Sequence, residues 1–167
     1  MRKINKILQI VVFFTLVFNT QVESKILSIG NPDAKVTVKV FSSLTCPHCA
    51  NFHISIFKEL KKDYIDKGLV KFEHHAFPLD LAALNAEAVV RCQIDNEKKF
   101  KLLEEIYIKQ KIWAVGSDIN KINELIKKIG IGFDLTEEKM NTCLKDNKVL
   151  DEILNQRIEA QKKYKIE

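Results

Sequence analysis

Long apolar runs, arginine-rich stretches, internal repeats and low-complexity linkers are all missing from this sequence. No uninterrupted apolar run reaches the about 20 residues that a bilayer-spanning helix needs. With no Arg-rich run and aromatics at only 8%, the excess of 27 basic over 22 acidic residues is spread thinly along the chain. A nucleic-acid surface is therefore not expected. Proline and glycine are scarce, at three and five residues, so the few that occur mark real breaks. Against these absences stand 167 residues with 46% apolar and 29% charged side chains, a globular balance with enough chain for one domain.

The N-terminus carries the first positive signal. Arg2, Lys3 and Lys6 precede an apolar stretch over residues 7–18, broken only by Gln9 and Thr15. Its length suits the core of an export signal, with cleavage expected after Ser24 and an uncleaved N-terminal anchor as the alternative. Export would place the chain in an oxidising compartment. There the four cysteines, Cys46, Cys49, Cys92 and Cys143, read as two disulfides. Three pairings exist on paper. Cys46 and Cys49 are close enough for a tight redox pair, leaving Cys92 with Cys143 as a structural bridge or, alternatively, as two buried thiols.

Gly30-Asn31-Pro32-Asp33 is turn chemistry, and residues 36–41 alternate as a strand entering a core. Thr45 stands where a helix N-cap belongs. Phe52, Ile56, Phe57 and Leu60 then predict a helix from Cys46 to about Asp66, stopped by Gly68. Residues 69–77 form the second expected strand, closed by Pro78. Beyond it, residues 80–95, 97–112, 118–129, 135–146 and 147–165 all read as helices, and no third strand is expected. The whole is an α/β arrangement, a βαβ unit followed by a helix-rich stretch.

The chemistry lies in Cys46-Pro47-His48-Cys49. A thiol at a helix N-terminus feels the positive end of the dipole and unpaired amide N–H groups, both favouring thiolate. Cys46 is therefore the expected nucleophile and Cys49 the resolving thiol; His48 can add charge or a donor beside Cys46, and Pro47 fixes the turn. The alternatives are an inert bridge or half of a zinc site, but no second Cys/His pair at matching spacing exists. His53, four residues past Cys49, reads as a polar helix-surface histidine. His74 and His75 adjoin on a strand, point to opposite faces and read as structural or solvent-facing. Trp113, with Ile112 and Tyr107, is expected to pack the helical part, and the lysine-rich patches at 58–62, 98–101 and 161–165 to be solvated helix faces.

Residues 30–38, the run Ser43-Leu44-Thr45-Cys46-Pro47-His48-Cys49-Ala50-Asn51-Phe52-His53, then Phe77-Pro78-Leu79-Asp80, Arg91-Cys92 and Thr142-Cys143-Leu144 resemble the DsbA family, most of all its alphaproteobacterial members. The resemblance covers about residues 28–165. It implies a thioredoxin-like fold with an inserted all-helical domain. It also implies a periplasmic thiol–disulfide oxidoreductase that donates disulfides to folding exported proteins and is reoxidised by a quinone-linked membrane partner. No cofactor beyond the redox-active disulfide and no metal is implied. The division expected is a signal at 1–24, a thioredoxin-like βαβ part at 25–80, a helical insertion at 81–146 and a returning helix at 147–167. Two departures stand out. Val40 occupies the position, six before the first cysteine, where such proteins often carry a buried acid. The cis-proline loop and last strands, a β-hairpin half, should follow Tyr164, and none of Pro32, Pro47 and Pro78 fits the cis-proline role. A fragment or C-terminally truncated form is thus expected, with an exposed edge at the 36–41 strand. Rival readings are an isomerase or reductase of the same fold, a non-catalytic metal or chaperone module using Cys46, Cys49 and His53, and an inactive remnant.

Overall fold

The computed structural model describes residues 26–167, so the export-signal reading and its cleavage after Ser24 lie outside the described residues. Three strands form a mixed sheet in the order β1-β3-β2. β2 (Val36–Ser42) runs parallel to β3 (Val70–Ala76), with Val38 opposite Phe72 and Val40 opposite His74. β1 (Leu27–Gly30) pairs antiparallel on the other side of β3, Leu27 opposite His74.

β1 is the third strand that was not expected. Its four residues are too few to display an alternation, and what holds them is the ladder of β3 rather than any local pattern. Gly30 then turns the chain toward β2 with φ of +101°, and a Cβ there would press on the Val70 carbonyl, so the position suits glycine alone. β2 carries no partner on its outer side among the described residues and is largely solvent-facing.

Between β2 and β3 lies helix α1, residues 47–65, in which α turns at Pro47–Asn51 and Phe57–Leu60 alternate with π turns at Phe52–Ile56 and Lys61–Ile65. Its inward stripe, Ala50, His53, Phe57 and Ile65, covers β3. The Phe57 ring sits 4.7 Å from that of Phe72, a fully buried residue at the centre of β3. This corrects two expectations. Ile56 is 55% exposed, whereas His53 is buried, because it stands one turn after Cys49 and one before Phe57 on the face turned to the sheet.

After β3 the chain is helical: α2 (Leu81–Cys92), α3 (Asn96–Ile108), α4 (Gln110–Trp113), α5 (Ile119–Ile131), α6 (Glu137–Cys143) and α7 (Asn147–Tyr164). Most of these starts are written in the sequence. The side-chain oxygens of Asp80, Asp95, Asp118, Thr136 and Asp146 each accept a backbone N–H of the first turn. Phe100, Leu102, Leu103, Ile106 and Tyr107 of α3 join Trp113, Ile126 and Met140 in one core with Phe57 and Phe72. Trp113 is sealed and its indole N–H donates to the Ile106 carbonyl at 2.8 Å, but its neighbour Ile112 is 63% exposed and lies outside the core, contrary to the sequence reading. α7 returns to the sheet: the Gln156 carbonyl oxygen accepts the Ala76 N–H at 2.9 Å, and Arg157 donates to the Pro78 carbonyl at 2.6 Å.

Candidate active site

Cys46 ends the loop after β2 and is the N-cap residue of α1, extended at φ −77° and ψ 119°, with Pro47 in the first helical position. Proline loses nothing there, since that N–H would be unpaired in any case. Cys46, rather than Thr45, is therefore the cap; the Thr45 hydroxyl instead donates to Asp80 at 2.8 Å. Both thiols are free and half-buried, whereas Pro47 and His48 are exposed.

The two sulfurs are electrostatically unlike. Burial opposes ionisation of Cys46, but the Cys49 thiol and the backbone N–H groups of Cys49 and His48 all point at its sulfur, and together they hold its pKa below the usual thiol value. For Cys49 burial acts in the same direction as its thiol bond to Cys46, and its pKa is raised. One sulfur is thus favoured as thiolate and the other as thiol once the pair is reduced.

The loop carrying Cys46 is gripped from two elements. Asp80 accepts Thr45 with one oxygen and caps α2 through the Ala83 N–H with the other, at 2.7 Å. The Leu79 N–H reaches the Ser43 hydroxyl at 3.3 Å, and the Phe77 N–H bonds the Ser42 carbonyl at 2.8 Å. From the helical side, the Gln110 amide donates to the carbonyls of Leu44, at 2.7 Å, and Cys46, at 3.0 Å. Neither Gln110 nor the clasp made by Asp80 was singled out from the sequence. Asp80 announces itself locally as a cap before an apolar helix, but nothing near Gln110 marks a partner more than sixty residues away.

Behind Cys49 lies a buried polar seam. His53 stacks on Tyr107 with ring centroids 4.2 Å apart, and its ring lies 6.2 Å from that of His74. Both His53 ring nitrogens are sealed without a hydrogen-bond partner. His74, fully buried, meets Glu87 at 3.2 Å. Val40, at the position six before the first cysteine, is the strand neighbour of His74, the ring that meets Glu87 of α2. The Tyr107 hydroxyl is buried near Ser42 and Cys49, and burial with the neighbouring thiols keeps it protonated far above the usual tyrosine range. On the opposite face His75 pairs with Glu73 at 3.1 Å. The described residues bring together no three of His, Cys, Asp or Glu that could hold a metal ion.

His53 makes this seam acid-sensitive. Burial, with help from His74, lowers its pKa from 6.5 to about 3, while Glu87 pulls weakly the other way. The unfolded chain takes up a proton below about pH 6.5 and the folded chain does not, so stability falls as pH drops through that window. At pH 4 the loss from this one ring should be about 3 kcal/mol. Urea unfolding at pH 7 and pH 4 should show it, and His53→Leu should shed that part of the slope. An unchanged slope would show that His53 titrates normally in the folded state.

Far from the thiols, Cys92 at the end of α2 and Cys143 at the end of α6 are joined by a disulfide, their Cα atoms 6.0 Å apart. A cysteine pair at a helix start, set where a parallel strand pair meets that helix, is the arrangement of a thioredoxin-fold dithiol centre. The comparisons agree. The family profile described as Thioredoxin matches residues 22–167. A Rickettsia bellii protein named for protein-disulfide oxidoreduction is 34% identical over 135 residues, covering 80% of this chain and 51% of its own. Disulfide bond formation protein D of Bacillus subtilis is 31% identical over 137 residues, 76% of this chain and 62% of that one. The crystal structure of Wolbachia pipientis alpha-DsbA1 superposes with a TM-score of 0.79 at 28% identity, over 86% of this chain and 71% of that chain. The chain belongs to the thioredoxin family, and with a helical insertion following β3 its fold is similar to that of DsbA-like proteins. It spans about half the length of the curated Rickettsia relatives it matches.

Proposed function

We propose that this chain carries the redox centre of an exported thiol–disulfide oxidoreductase that passes disulfides to other proteins as they fold. The observation that supports it most is the opposed ionisation of Cys46 and Cys49 at one helix start. A client thiolate attacks the Cys46 sulfur of the Cys46–Cys49 disulfide; that S–S bond breaks and Cys49 leaves, taking up a proton. A second client thiolate then attacks the client sulfur of the mixed disulfide, and Cys46 departs as the thiolate that its N–H donors favour. The client is oxidised and the protein reduced by two electrons, leaving the two free thiols seen in the structure. Pro47 holds the turn, and His48, exposed beside the sulfur, meets the incoming chain. A hollow of mixed character, lined by Thr45, Asp80, Leu81, Ala114, Ile119 and Ile122, opens at the residue before Cys46 and offers room for client side chains. The N-terminal apolar segment supports a periplasmic location, and a quinone-linked membrane protein is the proposed reoxidant.

The test is the equilibrium of the Cys46–Cys49 pair with glutathione, together with reoxidation of reduced ribonuclease. A disulfide donor should lie well above the about −270 mV of thioredoxin and restore ribonuclease activity stoichiometrically. A potential near the thioredoxin value would instead make the chain a reductase or isomerase.

A further inference from the structure

We propose that Gln110 is a positioning residue of the dithiol centre: its side-chain amide, donated from the helical layer into the redox loop, holds Cys46 where the N–H groups of His48 and Cys49 can reach its sulfur. The inference rests on the redox reading above and deepens it by joining the helical insertion to the thiol chemistry.

Leu44 is 1% exposed, so its carbonyl is cut off from water and requires a donor. The Gln110 amide supplies it at 2.7 Å. The same nitrogen reaches the Cys46 carbonyl at 3.0 Å, which also accepts the first helical bond, from Ala50 at 3.1 Å. One side chain therefore fixes the peptide two before the nucleophile and the peptide of the nucleophile itself. The remaining ties of this loop, through Ser43, Thr45 and Asp80, act on its other side. Gln110 is itself buried, at the first position of α4, just after Lys109 breaks the run of α3 at ψ 9°. It is carried by the element that also seats Trp113 in the core, so its reach is set by the packing of the helical layer.

The consequence is specific to one redox state. In the reduced protein the Cys46 sulfur draws on the N–H groups of His48 and Cys49 and on the Cys49 thiol. These donors converge only while Cys46 stays extended at the N-cap. In the disulfide form the sulfur carries no charge for them to serve. Without the amide, the buried Leu44 carbonyl must turn toward water, and Cys46 turns with it. The thiolate loses donors while the disulfide loses little, so the pair becomes a weaker oxidant.

The variant Gln110→Met keeps the length of the side chain and removes its donors; Gln110→Asn keeps the amide but shortens its reach, and serves if the first fails to fold. Trp113→Phe is the control, since it deletes a buried hydrogen bond from the same short helix, to Ile106, without touching the redox loop. On the full chain, the thiolate absorbance of Cys46 would be titrated and the glutathione equilibrium measured. Either Gln110 variant should lower the thiolate-to-thiol ratio of Cys46 at a given pH about tenfold, the scale of one or two ordinary hydrogen bonds. Trp113→Phe should lose stability with the Cys46 titration unmoved. An unchanged titration in the Gln110 variants, or an equal shift in Trp113→Phe, would overturn the proposal and leave Gln110 as plain packing. The redox reading fails by a different result, a wild-type potential near that of thioredoxin, whatever the Gln110 variants do.

Discussion

Replacing Glu87 with alanine should destabilise the fold by about 3–5 kcal/mol, the cost of leaving one partner of a buried ion pair alone. Glu87 is 2% exposed and His74 is wholly sealed; the carboxylate meets the ring at 3.2 Å and lies 3.4 Å from an Arg91 nitrogen. Burial alone would drive this carboxyl to protonate, yet His74 and Arg91 outweigh it and hold the pKa below the usual carboxylate range. Alanine removes the anion and strands His74 between β1 and β2 with no replacement donor or acceptor. Glu87→Gln, which keeps a hydrogen-bonding shape without the charge, should cost less. Replacing Glu87 and His74 together with leucine should recover part of the loss, because the sealed ring is then no longer left without its partner, while Arg91 still lacks the carboxylate. The sign with pH follows from the lowered carboxyl: the contribution is complete above the ordinary value of 4.5 and disappears as pH falls through the lower folded one. Urea unfolding of the three variants at pH 7 decides the matter. A loss below about 1 kcal/mol for Glu87→Ala would mean that water enters the seam and serves His74 instead.

The same seam shows where a sequence stops informing. The helix-start cysteines, the flanking strands to within about a residue, and the run of helices after Pro78 are local facts, because each is carried by spacing, alternation or a capping side chain next to the element it defines. β1 escapes such reading, since four residues show no period and their partner lies more than forty positions on. His53 was misplaced for a different reason. Its residue type argues for the surface, while its position, in line with Ala50 and Phe57, argues for the core, and the position prevails. Gln110 illustrates the third kind of failure. A glutamine opening a four-residue helix is unremarkable until the fold sets two loop carbonyls within 3.0 Å of its amide. Chemistry concentrated in a motif is legible; chemistry assembled from distant parts becomes visible only when the chain is folded.

Removing the second disulfide should be nearly as costly as breaking the ion pair. The bridge joins residues 51 positions apart and ties the end of α2 to the end of α6. Closing a loop of that length restricts the unfolded chain by about 4 kcal/mol in the chain-entropy account. Other contacts already hold these helices: α5 packs against both, its Gly130 close to the Met140 sulfur and to Val89, and Cys92 is buried. The folded structure therefore has little reason to change when the bridge is absent, and the effect should come almost wholly from the freed unfolded state. Reductant is the wrong tool, since it would also reduce any Cys46–Cys49 disulfide. The double variant Cys92→Ala/Cys143→Ala isolates the bridge. Its melting temperature should fall by about 10–15 °C for a chain of this size, while the Cys46 titration stays where it is, because neither α2's far end nor α6 touches the redox loop. A fall of only a degree or two would show that helix packing keeps these ends together even in the unfolded ensemble, so that the bridge merely records a proximity that the chain already has.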